Sequence, residues 1–206
     1  MLKHIRPAIV MVLLMTAVTG VIYPFAVTGI AQAILPHQAN GSLIERDGRV
    51  IGSELIGQNF ASDSYFQGRP SATSGADPAD ATKTVPSPYN AANSVGSNAG
   101  PTSKTLIDRV QAQVAAYREG RDGNSLVPAD AVTTSASGLD PHVSPDNVAG
   151  QIARIAKARG LSEQRLRQLV ADATEGRTLG FLGEPRVNIL SLNLALDREK
   201  SAVASR

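Results

Sequence analysis

An apolar run without a charged residue occupies positions 7–35 of this 206-residue chain. A hydrocarbon core of about 30 Å needs about 20 helical residues, so the run is long enough to cross a membrane. Basic residues such as Lys3 and Arg6 precede it, and this flank favours an N-terminus in the cytoplasm. We therefore predict a cytoplasmic segment 1–6, a transmembrane helix 7–35 and an extracytoplasmic domain 36–206.

A cleaved signal peptide is the alternative interpretation of the same run, because Ala31-Gln32-Ala33 is typical of a cleavage site. The apolar region of a signal peptide is about 7–15 residues long. The run in this chain is roughly twice that length, so the sequence favours a span that is retained.

Small residues recur at every fourth position of the predicted span, which places Thr16, Gly20, Pro24 and Thr28 on one helical face. Such a face lets a second helix approach closely, and close packing drives helix association in lipid. Pro24 also leaves the carbonyl of Gly20 without its intrahelical donor, so we expect a kink there. The alternative is that the stripe is incidental, since glycine and proline are common in membrane spans.

The charge balance and the absence of cysteine exclude several classes of function. The chain has 20 basic and 18 acidic residues without a basic patch, which does not favour a nucleic-acid partner. Cysteine is absent, which excludes disulfides, thiol catalysis and thiolate metal sites. Aromatic residues make up only 4% of the chain, so we expect a modest core that gains order from a partner surface.

The rest of the chain has helix and strand signals in mixed order, which predicts a mixed α/β domain of the α+β class anchored by one N-terminal transmembrane helix. Asp47-Gly48 supplies the positive-φ residues of a tight hairpin turn. Ser144 followed by Pro145 is typical of a helix start. The predicted elements are a hairpin over 43–52, helices over 105–117, 144–160 and 162–176, and a strand over 187–194.

Residues 61–103 are rich in Ser, Ala, Gly, Pro, Asn and Asp and have no helix or strand period. A long irregular segment of this kind is usually a functional loop or a disordered linker. Tyr65, Phe66 and Tyr89 lie within it and can act as aromatic anchors. We therefore expect an ordered loop that packs on this domain or on a partner, with a mobile linker as the alternative.

No constellation in the sequence carries convincing catalytic chemistry. Residues 96–105 are similar to a phosphate-binding loop, but Ser103 stands where that motif needs glycine, which favours a turn and a helix cap. Asp140, His142 and Ser144 lie too close in sequence for a hydrolase triad and favour hydrogen bonding within a loop. We predict no catalytic residue and no metal site, and therefore a non-enzymatic accessory subunit.

Nine short motifs carry a resemblance to a known family. In chain order they are Arg6-Pro7-Ala8, Gly20-Val21-Ile22-Tyr23-Pro24, Gly52-Ser53-Glu54-Leu55-Ile56-Gly57-Gln58, Tyr65-Phe66-Gln67-Gly68-Arg69-Pro70-Ser71-Ala72, Tyr89-Asn90-Ala91, Ser97-Asn98, Gly100-Pro101-Thr102, Ser137-Gly138-Leu139-Asp140-Pro141-His142 and Gly180-Phe181-Leu182-Gly183-Glu184-Pro185-Arg186-Val187-Asn188. With these motifs the chain resembles the C subunit of the Kdp-type potassium-transporting ATPase over essentially its whole length. It departs from the family pattern at Val95, where a second glycine is usual, and at Ser103, where asparagine is usual.

The resemblance implies membership of an inner-membrane complex for high-affinity, ATP-driven potassium uptake. The implied partners are a potassium-conducting channel-like subunit, a P-type ATPase subunit and a small single-span subunit, besides membrane lipid. ATP and potassium would be handled by the complex, and this chain would bind no cofactor firmly. The resemblance also singles out candidates for partner contact or for structuring the long loop: Tyr65, Phe66, Arg69, Tyr89, Asn90, Ser97, Asn98, Gly138, Asp140 and His142.

Two mechanisms are open for such a subunit. The family is described as a catalytic chaperone that raises the ATP affinity of the ATPase subunit, and a polar group such as Gln151 would then contact the nucleotide. The alternative is an anchored extracytoplasmic binding or gating module over the ion entrance, with Gln151 as a plain helix-surface residue. Because ATP is cytoplasmic, the predicted orientation favours the external, assembly-stabilising role. An independent anchored binding protein is a further alternative.

Overall fold

The computed structural model describes residues 2–119 and 126–204. The chain divides into two compact units, Met1–Ser53 and Glu54–Arg206. Unit 1 holds the long apolar helix and the first hairpin, and unit 2 holds the remaining helices and strands. This mixture of helices and small sheets behind one N-terminal apolar helix confirms the predicted fold class.

The apolar run folds as one continuous helix, Ile5–Ile34, which is long and apolar enough to cross a membrane. Its mean hydropathy reaches 2.2, and none of its most apolar window is buried. It consists of α1 (Ile5–Met15), a π-helical segment (Thr16–Ile22) and α2 (Tyr23–Ile34). A short helix α3 (Pro36–Ala39) follows.

The π-helical segment lies where the sequence predicts a disturbance. The backbone N–H of Tyr23 donates to the carbonyl of Val18, five residues back, in place of the usual four. Pro24 has no N–H to offer the carbonyl of Gly20, so the regular α-helical ladder is broken at this point. Thr19 Oγ1 donates to the carbonyl of Met15 at 2.7 Å, a hydrogen bond that connects the π-helical segment to the end of α1.

The first hairpin matches its prediction. Strand β1 (Leu43–Arg46) pairs antiparallel with β2 (Arg49–Ser53). The two turn residues, Asp47 and Gly48, have φ angles of 54° and 73°, the left-handed values that this tight turn requires.

Unit 2 contains a three-stranded antiparallel sheet in the order β5-β7-β6 and a separate two-stranded hairpin, β3-β4. The strands are β3 (Ser74–Ala76), β4 (Thr84–Pro86), β5 (His142–Val143), β6 (Thr174–Glu175) and β7 (Arg186–Asn188). The helices are α4 (Lys104–Arg118), α5 (Ala129–Val132), α6 (Pro145–Ala149), α7 (Ile152–Arg159), α8 (Glu163–Ala173) and α9 (Ile189–Ala204).

One apolar cluster forms the core of unit 2. It gathers side chains from β5, β7 and the last four helices, and it takes Phe66 from the long loop. Phe66 is completely buried. Its members are Phe66, Val143, Val148, Ile152, Ile155, Leu166, Leu169, Val170, Val187, Ile189, Leu192 and Leu196.

The prediction of one helix over 144–160 is wrong in one respect, because this region forms two helices, α6 and α7. The chain turns at Gly150 and Gln151, where the N–H of Gln151 donates to the carbonyl of Val148, three residues back. The hydroxyl of Tyr117 lies so close to Gly150 that a Cβ there would meet it at 2.1 Å. The end of the second helix at Gly160, with a φ of 68°, is as predicted.

The predicted strand over 187–194 is also wrong beyond its first residues. The strand ends at Asn188, whose side chain accepts the N–H of Ser191 at 3.0 Å and so caps the start of α9. Ile189, Leu192 and Leu196 are then buried at helical spacing. The weak alternation of apolar residues that predicted a strand therefore belongs to the start of an apolar stripe on helix α9.

The long loop over 61–103 packs on its own domain, and the choice between an ordered loop and a mobile linker stays a prediction. It contains β3 and β4, which pair antiparallel with Ser74 opposite Pro86. The helices predicted over 105–117 and 162–176 are α4 and α8, each within three residues of the predicted ends. The hydroxyl of Ser162 caps α8 by accepting the N–H of Arg165.

Candidate functional site

Gln151 lies beneath the long loop, with only 4% of its surface exposed. Its Oε1 accepts the N–H of Gln67 at 2.8 Å and Arg154 Nη2 at 2.9 Å. Its Nε2 donates to the carbonyl of Gln67 at 3.0 Å and to Asn147 Oδ1 at 3.0 Å. A glutamine amide has two donors and two acceptor positions, and here all four are used. The alternative of a plain helix-surface residue is therefore wrong, and a nucleotide contact stays a prediction.

Asn193 on α9 holds the preceding residue of the loop in the same way. Its Oδ1 accepts the N–H of Phe66 at 2.9 Å, and its Nδ2 donates to the carbonyl of Phe66 at 2.9 Å. Asn193 is itself buried. The loop can therefore bury the ring of Phe66 in the core without leaving the backbone polar groups of that residue unpaired.

Tyr65 anchors the loop on the other side of Phe66. Its hydroxyl donates to Asp197 at 3.1 Å, and the guanidinium of Arg159 lies 4.5 Å from the centre of its ring. Arg159 and Asp197 form an ion pair at 2.9 Å, and Arg159 Nε also donates to the carbonyl of Ser64 at 2.6 Å. One buried arginine thus connects the loop to α7 and α9.

A second polar cluster joins the loop to residues 133–142. Arg69 Nη1 pairs with Asp140 Oδ2 at 3.2 Å, and its Nη2 donates to the carbonyl of Thr134 at 3.3 Å. Burial raises the pKa of Asp140, but hydrogen bonds from His142 and the charge of Arg69 outweigh burial and leave that pKa below its ordinary value. Asp140 is therefore a carboxylate at neutral pH.

Tyr89 also belongs to this cluster, which it contacts through Arg69. Its hydroxyl donates to the carbonyl of Arg69 at 2.8 Å. Burial, with the nearby charge of Asp140, raises the pKa of Tyr89 to about 12. The phenol is thus a neutral hydrogen-bond donor at neutral pH, and its role is to hold the backbone of the loop.

The remaining predicted residues of the loop have structural contacts as well. Asn90 Nδ2 donates to the carbonyl of Ser74 at 2.8 Å, and Ser97 Oγ lies 3.3 Å from Thr134 Oγ1. Asn98 has a φ of 48°, in the left-handed region that asparagine tolerates. Gly138 has a φ of 67°, and a Cβ there would lie 2.6 Å from Thr73 Cγ2. Only glycine fits that position without a shift.

Neither of the two catalytic patterns considered in the sequence is assembled. Ser144 Oγ donates to Asp130 at 2.9 Å and accepts the N–H of Asn147, so it caps α6 and does not face His142 as a nucleophile would. At 96–105 the N–H of Ser103 donates to the carbonyl of Gly100, and α4 begins directly after it. Ser144 therefore caps a helix, whereas Ser103 stands at the end of a turn that leads into α4 and makes no side-chain capping bond.

Gln151 and Arg69 line an open groove of about 1370 Å³. Gln113 and Tyr117 on α4 line one side of it, and Arg154 and Lys157 on α7 line the other. Gln113 Oε1 is buried without a hydrogen-bond partner within the described part of the chain. The charged groups in its lining are of both signs, with Asp63 and Glu119 beside Arg69, Arg154 and Lys157. Arg154 is paired with Asp63 and Arg69 with Asp140, so the lining suits a polar occupant and does not select an anion.

Several residues on which this arrangement depends are not singled out by the sequence alone. Asn193 lies within an apolar helical stretch, where a lone amide flanked by leucines is a signal that could have been used. Arg159 and Asp197 give no such local signal, because their partners lie far away along the chain.

The small residues Thr16, Gly20, Pro24 and Thr28 belong to unit 1. Because the π-helical segment winds more residues into each turn, spacing by four no longer keeps them strictly in line, and helix packing through them stays a prediction.

Comparison with known proteins agrees with this organisation. The family model described as "KdpC: K+-transporting ATPase, c chain" matches residues 5–198. A potassium-transporting ATPase KdpC subunit of Rhodopseudomonas palustris is 62% identical over 97% of this chain and 100% of its own length. Those of Bradyrhizobium diazoefficiens and Methylorubrum extorquens are each 61% identical, over 96% and 95% of this chain and 98% and 97% of theirs.

In the described residues, one apolar helix long enough to cross a membrane precedes a domain of helices and small sheets, which is the architecture of a membrane-anchored protein. The chain belongs to the KdpC family, the c chain of the K+-transporting ATPase. It is therefore a subunit of a P-type potassium-transporting ATPase complex, and its one candidate span indicates a single-pass inner-membrane protein.

Replacement of Asn193 by alanine should destabilise the protein by about 2–4 kcal/mol, because it leaves two buried backbone groups of Phe66 unpaired. Urea unfolding of the detergent-solubilised full chain, followed by circular dichroism, measures the loss. The matched control is Gln168→Ala on α8, whose exposed amide bonds only Asp172, and which should cost less than about 0.5 kcal/mol. Equal losses of unfolding free energy in the two variants would contradict the role of Asn193 in holding the backbone of Phe66.

The hydrogen bonds from His142 to Asp140, together with the charge of Arg69, should make part of the stability dependent on pH. The pKa of Asp140 in the folded protein lies below the ordinary value of 3.8, so its contribution is complete above that value and is lost as the pH falls through the folded pKa. Asp140→Asn should therefore be less stable than the wild type at pH 7, and the difference should shrink below a pH of about 4. Urea midpoints measured between pH 3 and pH 8 test this, and a difference that grows in acid would contradict it.

Proposed function

We propose that this chain is a non-catalytic accessory subunit that assembles and stabilises a high-affinity, ATP-driven potassium uptake complex. The observation that carries the proposal is the use of the polar side chains in unit 2. Gln151, Asn193, Arg69 and Tyr89 all bind backbone groups of their own domain. Such groups hold the domain in one arrangement, which is preorganised for partners.

The partners of this subunit are a potassium-conducting channel-like subunit, a P-type ATPase subunit and a small single-span subunit. The helix Ile5–Ile34 holds the chain in the membrane with them, and its exposed apolar surface requires lipid or other helices around it. The face of small residues that includes Gly20 and Thr28 supplies a surface for close helix packing.

Unit 2 lies on the extracytoplasmic side, over the ion entrance. Lys3 and Arg6 flank the helix at its start, and basic residues are retained in the cytoplasm. From this side the domain cannot reach cytoplasmic ATP, so potassium and ATP are handled by the other subunits. The domain acts by stabilising the assembly and by covering the entrance.

The second candidate function is that of a catalytic chaperone that raises the ATP affinity of the ATPase subunit. The groove beside Gln151 is the observation in its favour, because its lining includes Lys157 and an ammonium group suits a phosphate. Asp63 and Glu119 also line the groove, so its charge alone does not select an anion. The saturated amide of Gln151 speaks against direct contact, since a nucleotide would have to displace Gln67. An effect on ATP affinity would then be exerted through conformational coupling between subunits.

The orientation can be tested by cysteine labelling, because the chain has no cysteine of its own. Ala81→Cys places a thiol in the exposed turn between β3 and β4, and Lys3→Cys places one before the span. A membrane-impermeant maleimide added to intact cells should label the first variant alone. Labelling of the thiol at position 3 alone would reverse the orientation and make a direct nucleotide contact possible.

The two mechanisms predict different effects of Gln151→Ala. The assembly role predicts less complex in the membrane, because the loop loses its clamp, while the KM for ATP of the assembled fraction stays within about twofold of wild type. Size-exclusion chromatography gives the amount of complex, and ATP titration of the purified complex gives the KM. A rise in KM of about tenfold with normal assembly would favour the chaperone role through this residue.

A further inference from the structure

The backbone hydrogen bonds of the long apolar helix change their spacing near its centre. The N–H of Tyr23 donates to the carbonyl of Val18, five residues back, as in a π-helix. The next residue, Pro24, has no N–H to donate. Helix α2 then continues with the four-residue spacing of an α-helix, which gives the N–H of Phe25 to the carbonyl of Val21. The change of spacing therefore passes over two carbonyl groups.

These two carbonyls belong to Thr19 and Gly20, and we call them the carbonyl pair. Thr19 and Gly20 are the two central residues of the 30-residue helix Ile5–Ile34. They lie about 20 Å from either end of it, at the rise of an α-helix. A backbone carbonyl at that depth in hydrocarbon has no water to bond, so its free energy is high until it finds another donor.

No side chain of the described helix supplies the missing bonds. A serine or threonine hydroxyl reaches a carbonyl three or four residues before it. For the carbonyl pair those positions are Ile22, Tyr23 and Pro24, none of which has a hydroxyl on its β carbon. The hydroxyl of Thr19 itself donates to the carbonyl of Met15 at 2.7 Å.

Gly20 leaves space beside the carbonyl pair. A Cβ added there would meet Thr16 Cγ2 at 3.8 Å, an ordinary van der Waals distance, and nothing nearer within the described chain. The helix therefore has no steric need for glycine here, although glycine destabilises a helix relative to alanine. The missing side chain lets a group of another molecule approach the carbonyl oxygens closely.

The source of the missing donor follows by elimination. Freed carbonyls in a membrane span are satisfied by a π-helical adjustment, by Ser or Thr side chains, by ordered water or by a neighbouring helix. The π-helical adjustment serves Val18, and the hydroxyl of Thr19 is used for Met15. Water is absent from the hydrocarbon core that surrounds the centre of the helix. A neighbouring helix remains, and membership of a multi-subunit ATPase provides one.

We infer that the carbonyl pair accepts hydrogen bonds from an uncharged hydroxyl or carboxamide side chain on a neighbouring transmembrane helix of the complex. A Lys or Arg donor would bring a charge to the centre of the bilayer, where charges are costly, whereas hydroxyl and amide groups bond between helices. A potassium ion needs more carbonyl ligands than two to replace its hydration shell. The inference rests on the proposed function and names the chemistry by which the span binds its partner.

The first test observes the Gly20 carbonyl directly by solid-state NMR. Gly20-Val21 is the only Gly-Val pair in the sequence, and Gly29-Ile30 is the only Gly-Ile pair. Labelling of glycine carbonyls with ¹³C and of valine and isoleucine with ¹⁵N therefore selects one carbonyl signal for each pair. When the labelled full chain in lipid bilayers is assembled with unlabelled other subunits, the Gly20 signal should move to lower field, the direction that hydrogen bonding causes. The Gly29 carbonyl is the control, because Ala33 provides its donor within α2.

An unchanged Gly20 signal in the assembled complex would overturn the inference and leave the proposed function standing. Transfer of magnetisation from water to the Gly20 carbonyl would also overturn it, because the donor would then be water. Failure of the wild-type chain to assemble with the other subunits would instead overturn the proposed function, so the two failures are distinguishable.

The second test returns the missing N–H to the helix with the variant Pro24→Ala. Its Gly20 carbonyl should show the hydrogen-bonded signal already in the isolated chain, because the helix can now satisfy it. The ratio of bound to free chain, measured by co-purification with a tagged subunit, should fall about threefold to tenfold. Circular dichroism of the solubilised chain should show at least the helix content of wild type, so the loss is not one of folding.

The matched control is Pro36→Ala, the same change at the first residue of α3. An N–H at the first position of a helix has no intrahelical acceptor, so this variant should co-purify like wild type. Wild-type co-purification of Pro24→Ala, or an equal loss in the two proline variants, would overturn the inference.

Discussion

The pairing of two side-chain amides with the backbone of Phe66 and Gln67 is the interaction on which unit 2 depends. An irregular loop can bury an aromatic ring only if the neighbouring N–H and carbonyl groups find partners. Asn193 and Gln151 provide them, one residue each, in the manner of an adjacent strand. Phe66 is the one phenylalanine among the fully buried side chains of the described residues. Its burial in the core makes the loop part of the domain.

Two further polar clusters hold the loop by hydrogen bonds and ion pairs on either side of this pairing. Arg159 and Asp197 hold it before the buried ring, and Arg69 and Asp140 hold it after. A domain with few aromatic residues cannot stabilise a long loop by apolar burial alone. It uses buried and half-buried hydrogen bonds to carbonyl groups, whose geometry specifies a single path for the chain.

A domain organised in this way is suited to be a docking surface in a membrane complex. Its polar side chains are occupied internally, so its outer face keeps one shape when a partner binds. Large apolar side chains are exposed along the helix Ile5–Ile34 in unit 1 and at residues 179–182 in unit 2. Membership of the KdpC family places these surfaces in a multi-subunit potassium-transporting ATPase.

The sequence by itself determined the features whose causes lie within a few residues. The length of the apolar run gave the candidate span, Asp47-Gly48 gave the hairpin turn, and Ser162 gave a helix start. The tertiary structure alone decided that Gln151 turns inward to a partner 84 residues away. It also decided that Phe181, apolar and therefore expected inside, is exposed. Burial and pairing at such separations depend on how the elements pack, and local chemistry does not specify that.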